Sequence, residues 1–575
     1  MAHARQLKVA RAELTMAVDY QQLVLPYVPP ARCGDVPGTR RPVIVVGAGP
    51  VGLTLAIDIA RYGTTVLLLD DDDRLSSGSR AICFAKRTLE IWDRLGCGGG
   101  IADKGVSWKV GKVHVGERLV YSFDLLPEAG HRRPAFVNLQ QYYVEGLLYD
   151  HARMQPNLEM RFKHKVVAVD ASAAGARVTV ETPDGRYDVL CDYVVACDGS
   201  RSPVRDMLGL ASRGQTFRDR FLIADIRMEA DLPIERRFWF DPPFHPHGSA
   251  LMHRQPDNVW RIDFQLGWDA DPAAEREPER VKQRLRRMLG EDTQFDLIWC
   301  SVYTFSCVRM EHFRHGRVIF AGDAAHGVSP FGARGANSGV QDADNLAWKL
   351  HYVVRGEAPD GLLDTYATER EQAADENIAH SSRSADFLTP KSEISRVFRD
   401  AVLCLAEAHP FARRLVNSGR LSTATTLVDS PLATPDRDSF TGAMVPGAAA
   451  ADAPVTVDGK RDWFLRHVGG RFVALRFADR ATPRTARVRD DSAPPPGQAF
   501  DTLPRIDPLL VAAPSSDSAH DKGALIDIDG MLAARYDAQP GTTYLLRPDQ
   551  HVCARWRHYD ARALHAAAAR AICNG

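Results

Sequence analysis

The stretch Gly47-Ala48-Gly49-Pro50-Val51-Gly52 sets three glycines where a chain can cradle a pyrophosphate. Gly47 permits a tight turn after the apolar run Val43–Val46, Gly49 offers bare backbone to the phosphates, and Gly52 lets the next helix pack close to the sheet. Pro50 and Val51 begin that helix, whose free N–H groups and positive dipole end face the anion. A second apolar strand ends at Asp70 and Asp71. An acidic residue there accepts hydrogen bonds from ribose hydroxyls, which favours a dinucleotide with a free 2′-OH, such as FAD or NAD.

Two later stretches narrow the choice. Tyr193–Ala196 is apolar and runs into Cys197-Asp198-Gly199-Ser200-Arg201-Ser202-Pro203. Arg317–Phe320 runs into Ala321-Gly322-Asp323-Ala324-Ala325-His326, and Ser329-Pro330-Phe331-Gly332-Ala333-Arg334-Gly335-Ala336-Asn337 follows. Together and in this order, these stretches resemble the fingerprints of the single-component FAD-dependent aromatic hydroxylases. The likeness is to the 3-(3-hydroxyphenyl)propionate hydroxylase and phenol hydroxylase branch, and it covers about residues 41–400.

The resemblance implies a site. FAD is held by Gly47, Gly49, Pro50, Val51, Gly52, Asp70, Asp71, Asp198, Gly322 and Asp323, with Asp323 on the ribityl chain. Arg80 and Gln141 stand where relatives contact the flavin. Pro330, Phe331 and Arg334 border the flavin ring, and Gly335, Ala336 and Asn337 open the helix that stabilises its reduced form. Many relatives have Gly-Gln-Gly at Ala333-Arg334-Gly335, so Arg334 either favours an anionic reduced flavin or is a structural arginine. In such enzymes NAD(P)H reduces FAD, O₂ adds to give a flavin C4a-hydroperoxide, and a phenolic ring is hydroxylated. His245, His247 and His253 are candidate phenol-activating bases, each with a surface reading beside it, and His253 is the one carried forward.

These residues need elements to hold them. The strand, glycine turn, helix and strand from Val43 to Leu69 predict an α/β Rossmann-type domain over 41–215 and 311–400, after an N-terminal arm at 1–40. A β-sheet substrate domain is expected at 216–310. There Trp260, Ile262, Phe264 and Leu266 alternate with Arg261, Asp263 and Gln265, so the polar face either lines a site or meets solvent. Trp239, Trp260 and Phe331 are the expected aromatic walls for substrate. A helix and linker follow at 401–455. Strand order in 456–575 resembles the thioredoxin-like domain of phenol-hydroxylase-type enzymes, but Asp479-Arg480-Ala481-Thr482 stands where a redox Cys pair would be. That unit is expected to be redox-inert and to support a homodimer.

Bulk properties exclude other classes. Lys plus Arg is 72 and Asp plus Glu is 73, so there is no electrostatic footprint for nucleic acid or an anionic membrane. The ten cysteines contain no C-x-x-C pair, which argues against a metal site and a disulfide framework. The start of the chain lacks a signal-peptide core and no apolar run spans a bilayer, so a cytoplasmic protein is expected. Rival readings are a flavin dehydrogenase or oxidase, a halogenase (its Trp-x-Trp-x-Ile-Pro segment is not found) and a non-catalytic flavin-binding module.

Overall fold

The computed structural model describes residues 19–34, 39–76, 81–416, 421–478, 503–516 and 521–574. In chain order, β1 (Arg40–Val46), α1 (Pro50–Arg61) and β2 (Val66–Asp70) come first, then the short β3 (Cys83–Ala85) and α2 (Lys86–Leu95). Next are β4 (Val110–Val115), β5 (Arg118–Asp124), α3 (Gln141–Ala152) and β6 (Gly185–Ala196). The long β7 (Ser212–Arg227), β8 (Arg236–Phe240), β9 (Ser249–Arg254) and β10 (Val259–Leu266) follow, then α4 (Pro278–Leu289) and β11 (Asp296–Met310). After β12 (Val318–Phe320) come α5 (Gly335–Val354), α6 (Leu362–Leu388) and α7 (Glu393–Ala408). The last part holds β13 (Phe472–Phe477), β14 (Ile506–Ala512), β15 (Thr543–Leu546), β16 (Val552–Trp556) and α8 (Ala561–Ala571).

The first sheet is parallel at its centre, in the order β12-β6-β1-β2. Val43–Val45 and Val66–Leu69 are wholly buried, as strands covered on both faces must be. Parallel register brings the ends of β1, β6 and β12 together, and with them the three loops that carry the glycine turn, Asp198 and Asp323. The fold is thus mixed α/β with several sheets, as expected.

The second sheet runs β11-β7-β10-β9-β8-β4-β5. β4 and β5, at 110–124, join it from within the stretch first read as part of the dinucleotide domain. Alternation decides its two faces. Leu222, Ala224, Met252, Trp260, Ile262 and Phe264 form a core with Val281 and Leu285 of α4. Arg261, Asp263, His253 and Phe221 lie on the other face, toward the first domain.

A third sheet is built around β14-β13-β15-β16, with β13 and β14 parallel and the other two pairings antiparallel. A buried ionic network ties it to the rest of the chain. Arg547 binds Glu369 of α6 and Asp549, each at 2.5 Å, and Lys349 of α5 binds Glu369 at 2.6 Å. Among the described residues, which include all ten cysteines, there is no disulfide. Among the described residues, no helix is long and apolar enough to cross a membrane.

Candidate active site

The glycine turn has the geometry of a phosphate cradle. Gly47 takes φ +105°, and a Cβ on it would meet the Cys197 carbonyl oxygen at 2.5 Å. That close approach locks the first loop against the Asp198 loop. A Cβ on Gly49 would meet nothing within 4 Å, so space is open where a phosphate needs backbone. Gly52 is buried in α1, which begins at Pro50 and Val51. Asp70 accepts a hydrogen bond from the Ala48 amide at 2.5 Å and one from Asp72 at 2.9 Å. Burial pushes its carboxyl up to about 6. Asp71 is exposed beyond the strand end.

The other two loops close on the same place. Asp198 accepts from the Val204 amide through Oδ2, while its Oδ1 is shut off from solvent with no partner. Gly322 takes φ +63°, and a Cβ there would meet Val51 at 3.0 Å. Its amide donates to Asp342 Oδ2 at 2.9 Å; that carboxylate also binds His326 at 2.7 Å and Arg370 at 2.6 Å. Burial alone would raise Asp342, but His326 and Arg370 outweigh it and hold it at about 2. This buried group fixes the turn and leaves Asp323 exposed beside Gly335, at the start of α5. Ala336 is half-buried in the same first turn.

Several expected cofactor residues act through other residues. Gln141 accepts from the Ala81 amide and donates to Glu145, which accepts from the Ser76 amide. Both flanks of 77–80 are thereby tied to α3; Arg80 itself lies outside the described residues. The side chain of Asn337 accepts from the Ala85 amide and Thr88 Oγ1 and donates to the carbonyls of Cys83 and Ala333. Its side-chain hydrogen-bonding capacity is spent joining α5 to β3 and α2, which clamps the start of α5 in place.

The loop from Pro330 to Arg334 is bent. Pro330 is exposed and Phe331 is 7% exposed, its ring 4.7 Å from Phe221 of β7. Ala333 adopts φ +53°, a left-handed conformation that costs an L-residue roughly 1–2 kcal/mol and glycine little. Many relatives have glycine here, so the departure has a local cost. Arg334 is 6% exposed and donates to Asn377 of α6 at 2.9 Å. Of its two readings, the structural one fits.

The polar face of the second sheet is buried against this loop and β3. Arg261 grips Asp225 through Nε and Nη2 at 2.8 and 2.9 Å. Beside it on β9, His253 is 3% exposed, and burial with Arg236 and Arg261 nearby holds it well below its usual value. Its tautomer follows from its neighbours. The Trp108 indole N–H can only donate, and it donates to Asn138 Oδ1 at 2.7 Å. Asn138 Nδ2 therefore donates, 3.4 Å from His253 Nδ1, and the imidazole proton sits on Nε2. This corrects the expected base role: His253 is neutral, and the ring nitrogen left over is a donor.

The expected tryptophan walls are also corrected. Trp260 points to the α4 side and donates to the Met228 carbonyl. Trp239 packs on that same core and stacks on His114 at 5.3 Å. Two-residue alternation puts both with the apolar face, away from Phe331. Sequence reading passed over Arg236, Asp225 and Asn138, whose signal was a charged or amide residue inside an apolar strand.

The family model for an FAD binding domain matches residues 40–381. The chain belongs to the FAD-dependent aromatic monooxygenases. It is 31% identical to 6-methylpretetramide 4-monooxygenase of Streptomyces rimosus over 530 residues, 89% of this chain and 90% of that protein. It is 30% identical to the 3-(3-hydroxy-phenyl)propionate/3-hydroxycinnamic acid hydroxylase of Mycolicibacterium smegmatis, over 65% of this chain and just under two thirds (66%) of that protein. In fold it is similar to the flavin-dependent monooxygenase PieE, with a TM-score of 0.78 and 24% identity over 94% of this chain and 100% of that one. The residues present fit FAD: an open Gly49 cradle, an unpartnered Asp198 Oδ1 and an exposed Asp323 at a helix start converge from three loops.

Proposed function

We propose that this monooxygenase hydroxylates a phenolic ring, in a mono- or polycyclic aromatic substrate, using NAD(P)H and O₂. The observation that carries this reading is the inward polar face at Arg261, Asp263 and His253, which meets the Phe331 loop across an aromatic contact. The relatives' names support it, since they act on a phenylpropionate phenol and on a polyketide ring system. Bound FAD supplies the redox chemistry that takes electrons from NAD(P)H and activates O₂. Gly47, Gly49 and Gly52 would seat its pyrophosphate, Asp70 its ribose and Asp323 its ribityl chain. The amides at the start of α5 would stabilise negative charge on the reduced ring. Phe221 and Phe331 exclude water and hold an aromatic plane. A cavity of about 610 Å³ at the sheet rim, bordered by Gln265, Trp268 and Lys391, is the proposed way in.

The division into 41–215 with 311–400, 216–310 and 456–575 is kept as a proposal, with β4 and β5 serving the second sheet. The order β14-β13-β15-β16 followed by α8 supports a thioredoxin-like last unit. Residues 479–482 lie outside the described residues. Cys553 is buried, with Sγ 3.3 Å from the Leu432 carbonyl, which supports redox inertness; C553S is expected to turn over normally with or without dithiol. A cytoplasmic homodimer is proposed on the family resemblance.

Turnover under ¹⁸O₂ with NAD(P)H and a phenol panel tests the reaction. Label in the phenolic product is the expected result. Oxidation of substrate without O₂, given an artificial acceptor, would make the protein a dehydrogenase. A halogenated product would make it a halogenase, and FAD binding with no turnover on any phenol would leave a binding module.

A further inference from the structure

Three adjacent strands of the second sheet each carry, on the face toward the first domain, one buried polar atom without a partner. Buried polar groups in folded proteins are nearly always hydrogen-bonded, so three exceptions gathered on one face of adjacent strands call for an explanation. His253 Nε2 of β9, Asp263 Oδ1 of β10 and Arg236 Nη1 of β8 are all shut off from solvent without a partner. Register makes them neighbours. His253 pairs with Arg261, and Leu251 with Asp263, so Asp263 stands diagonally from His253 on one face. Arg237 pairs with Met252, which brings Arg236 alongside His253.

The groups around the trio define its charge. Arg261 is engaged by Asp225, whereas Arg236 has no carboxylate within ion-pair distance among the described residues. Arg236 lies over the Trp108 ring at 6.0 Å. Cys83 faces His253 at 3.8 Å, and burial raises its thiol to about 11, so it stays neutral. Burial pushes Asp263 up to about 6, with Arg261 and Arg236 pulling against it. The local inventory is one unsatisfied cation, one neutral N–H donor and one carboxylate oxygen.

We propose that Arg236, His253 and Asp263 form a recognition socket for an ionised substrate oxygen next to a neutral hydroxyl. The oxygen accepts from Arg236 Nη1 and His253 Nε2–H, and the hydroxyl donates to Asp263 Oδ1. The proposal rests on the substrate reading above and adds what that site selects: an aromatic ligand carrying a phenolate, enolate or carboxylate. Apolar Leu251 and Ile223 lie in the row of Asp263, and Phe221 in the row beyond, so an aromatic skeleton can extend from the socket to Phe331.

Calorimetric titration of the FAD-loaded protein tests this with two probes, 1,8-dihydroxyanthraquinone for the phenolate source and 3-phenylpropionate for the carboxylate source. R236Q is expected to weaken at least one probe by about 10–150-fold, the loss of a hydrogen bond to a charged group. The probe that responds identifies the source. D263N is expected to weaken the anthraquinone and leave 3-phenylpropionate, which has no hydroxyl, unchanged. For the anthraquinone, the pH at which its bound form ionises should rise by one unit or more in R236Q, read from its own visible band. Equal affinities and equal ionisation in wild type and R236Q, with FAD content unchanged, would overturn the socket. If the wild type retains no FAD the monooxygenase reading falls, yet probe affinities still decide the socket, because calorimetry needs no flavin. An R236Q protein that fails to fold passes the decision to R236K, which keeps charge but loses the planar fork and should recover part of the affinity.

Discussion

At the residue scale, the site depends on carboxylates with unlike surroundings. Asp323 is exposed at the mouth of α5, so its loss should leave the fold intact. D323A is expected to bind FAD about 10–150-fold more weakly, equivalent to about 1.5–3 kcal/mol for a hydrogen bond to a charged acceptor. Fluorescence titration of the apoprotein with FAD measures this, and unchanged affinity would remove Asp323 from the cofactor site. Asp342 is the opposite case, buried and held at about 2 against an ordinary 3.8. A lowered carboxylate contributes stability above its unfolded value and loses it as pH falls through the folded one. The stability gap between wild type and D342N should therefore close by about 2 kcal/mol between pH ~5 and pH ~2. Denaturant unfolding of both apoproteins across that range checks it; a constant gap would mean that Asp342 carries no proton-linked stability.

At the element scale, two glycines separate holding the cofactor from holding the helices. A Cβ at Gly339 of α5 would meet Val51 Cγ2 at 2.6 Å and Gly322 Cα at 3.1 Å. G339A should push α5 off α1 and destabilise the apoprotein by about 1–3 kcal/mol. A Cβ at Gly49 meets nothing within 4 Å, so G49A should leave the apoprotein's melting temperature unchanged and still exclude FAD. Thermal unfolding with and without FAD gives both readings. A destabilised G49A apoprotein, or one that binds FAD normally, would contradict the cradle.

At the scale of the whole molecule, the last sheet is fastened to the first domain by charges out of reach of water. Arg87 and Arg94 of α2 share Asp344 of α5, Arg94 also binds Asp58 of α1, and Arg87 reaches the Asp549 carbonyl at 2.7 Å. Arg547 completes the set, bridging Glu369 and Asp549. Replacing it takes a buried countercharge from both carboxylates, of which Glu369 keeps Lys349, and costs about 3–5 kcal/mol. R547M should lose that much in denaturant unfolding, and proteolysis should cut first between the last sheet and α7. A variant as stable as the wild type would mean that the remaining groups rearrange. The same network explains why the last unit can be held in place without disulfide chemistry.

The cofactor half of the molecule was legible in the sequence because it is local. The glycine turn, Asp198 and Asp323 each sit at a strand end, and parallel pairing of β1, β6 and β12 brings such ends together whatever surrounds them. Period-two alternation in 259–266 also revealed two unlike faces. It did not say which face meets the first domain, because strand periodicity is symmetric about the sheet. That was decided by α4, which covers Trp260 and turns Arg261, Asp263 and His253 inward. The socket was invisible for the same reason, since Arg236, His253 and Asp263 belong to three strands whose register exists only in the folded sheet. The roles of Asn337, Arg334 and Gln141 depended on partners 60 or fewer residues away for the last two and more than 240 for the first. Residue type fixed what each side chain can donate or accept, and tertiary packing alone decided to whom.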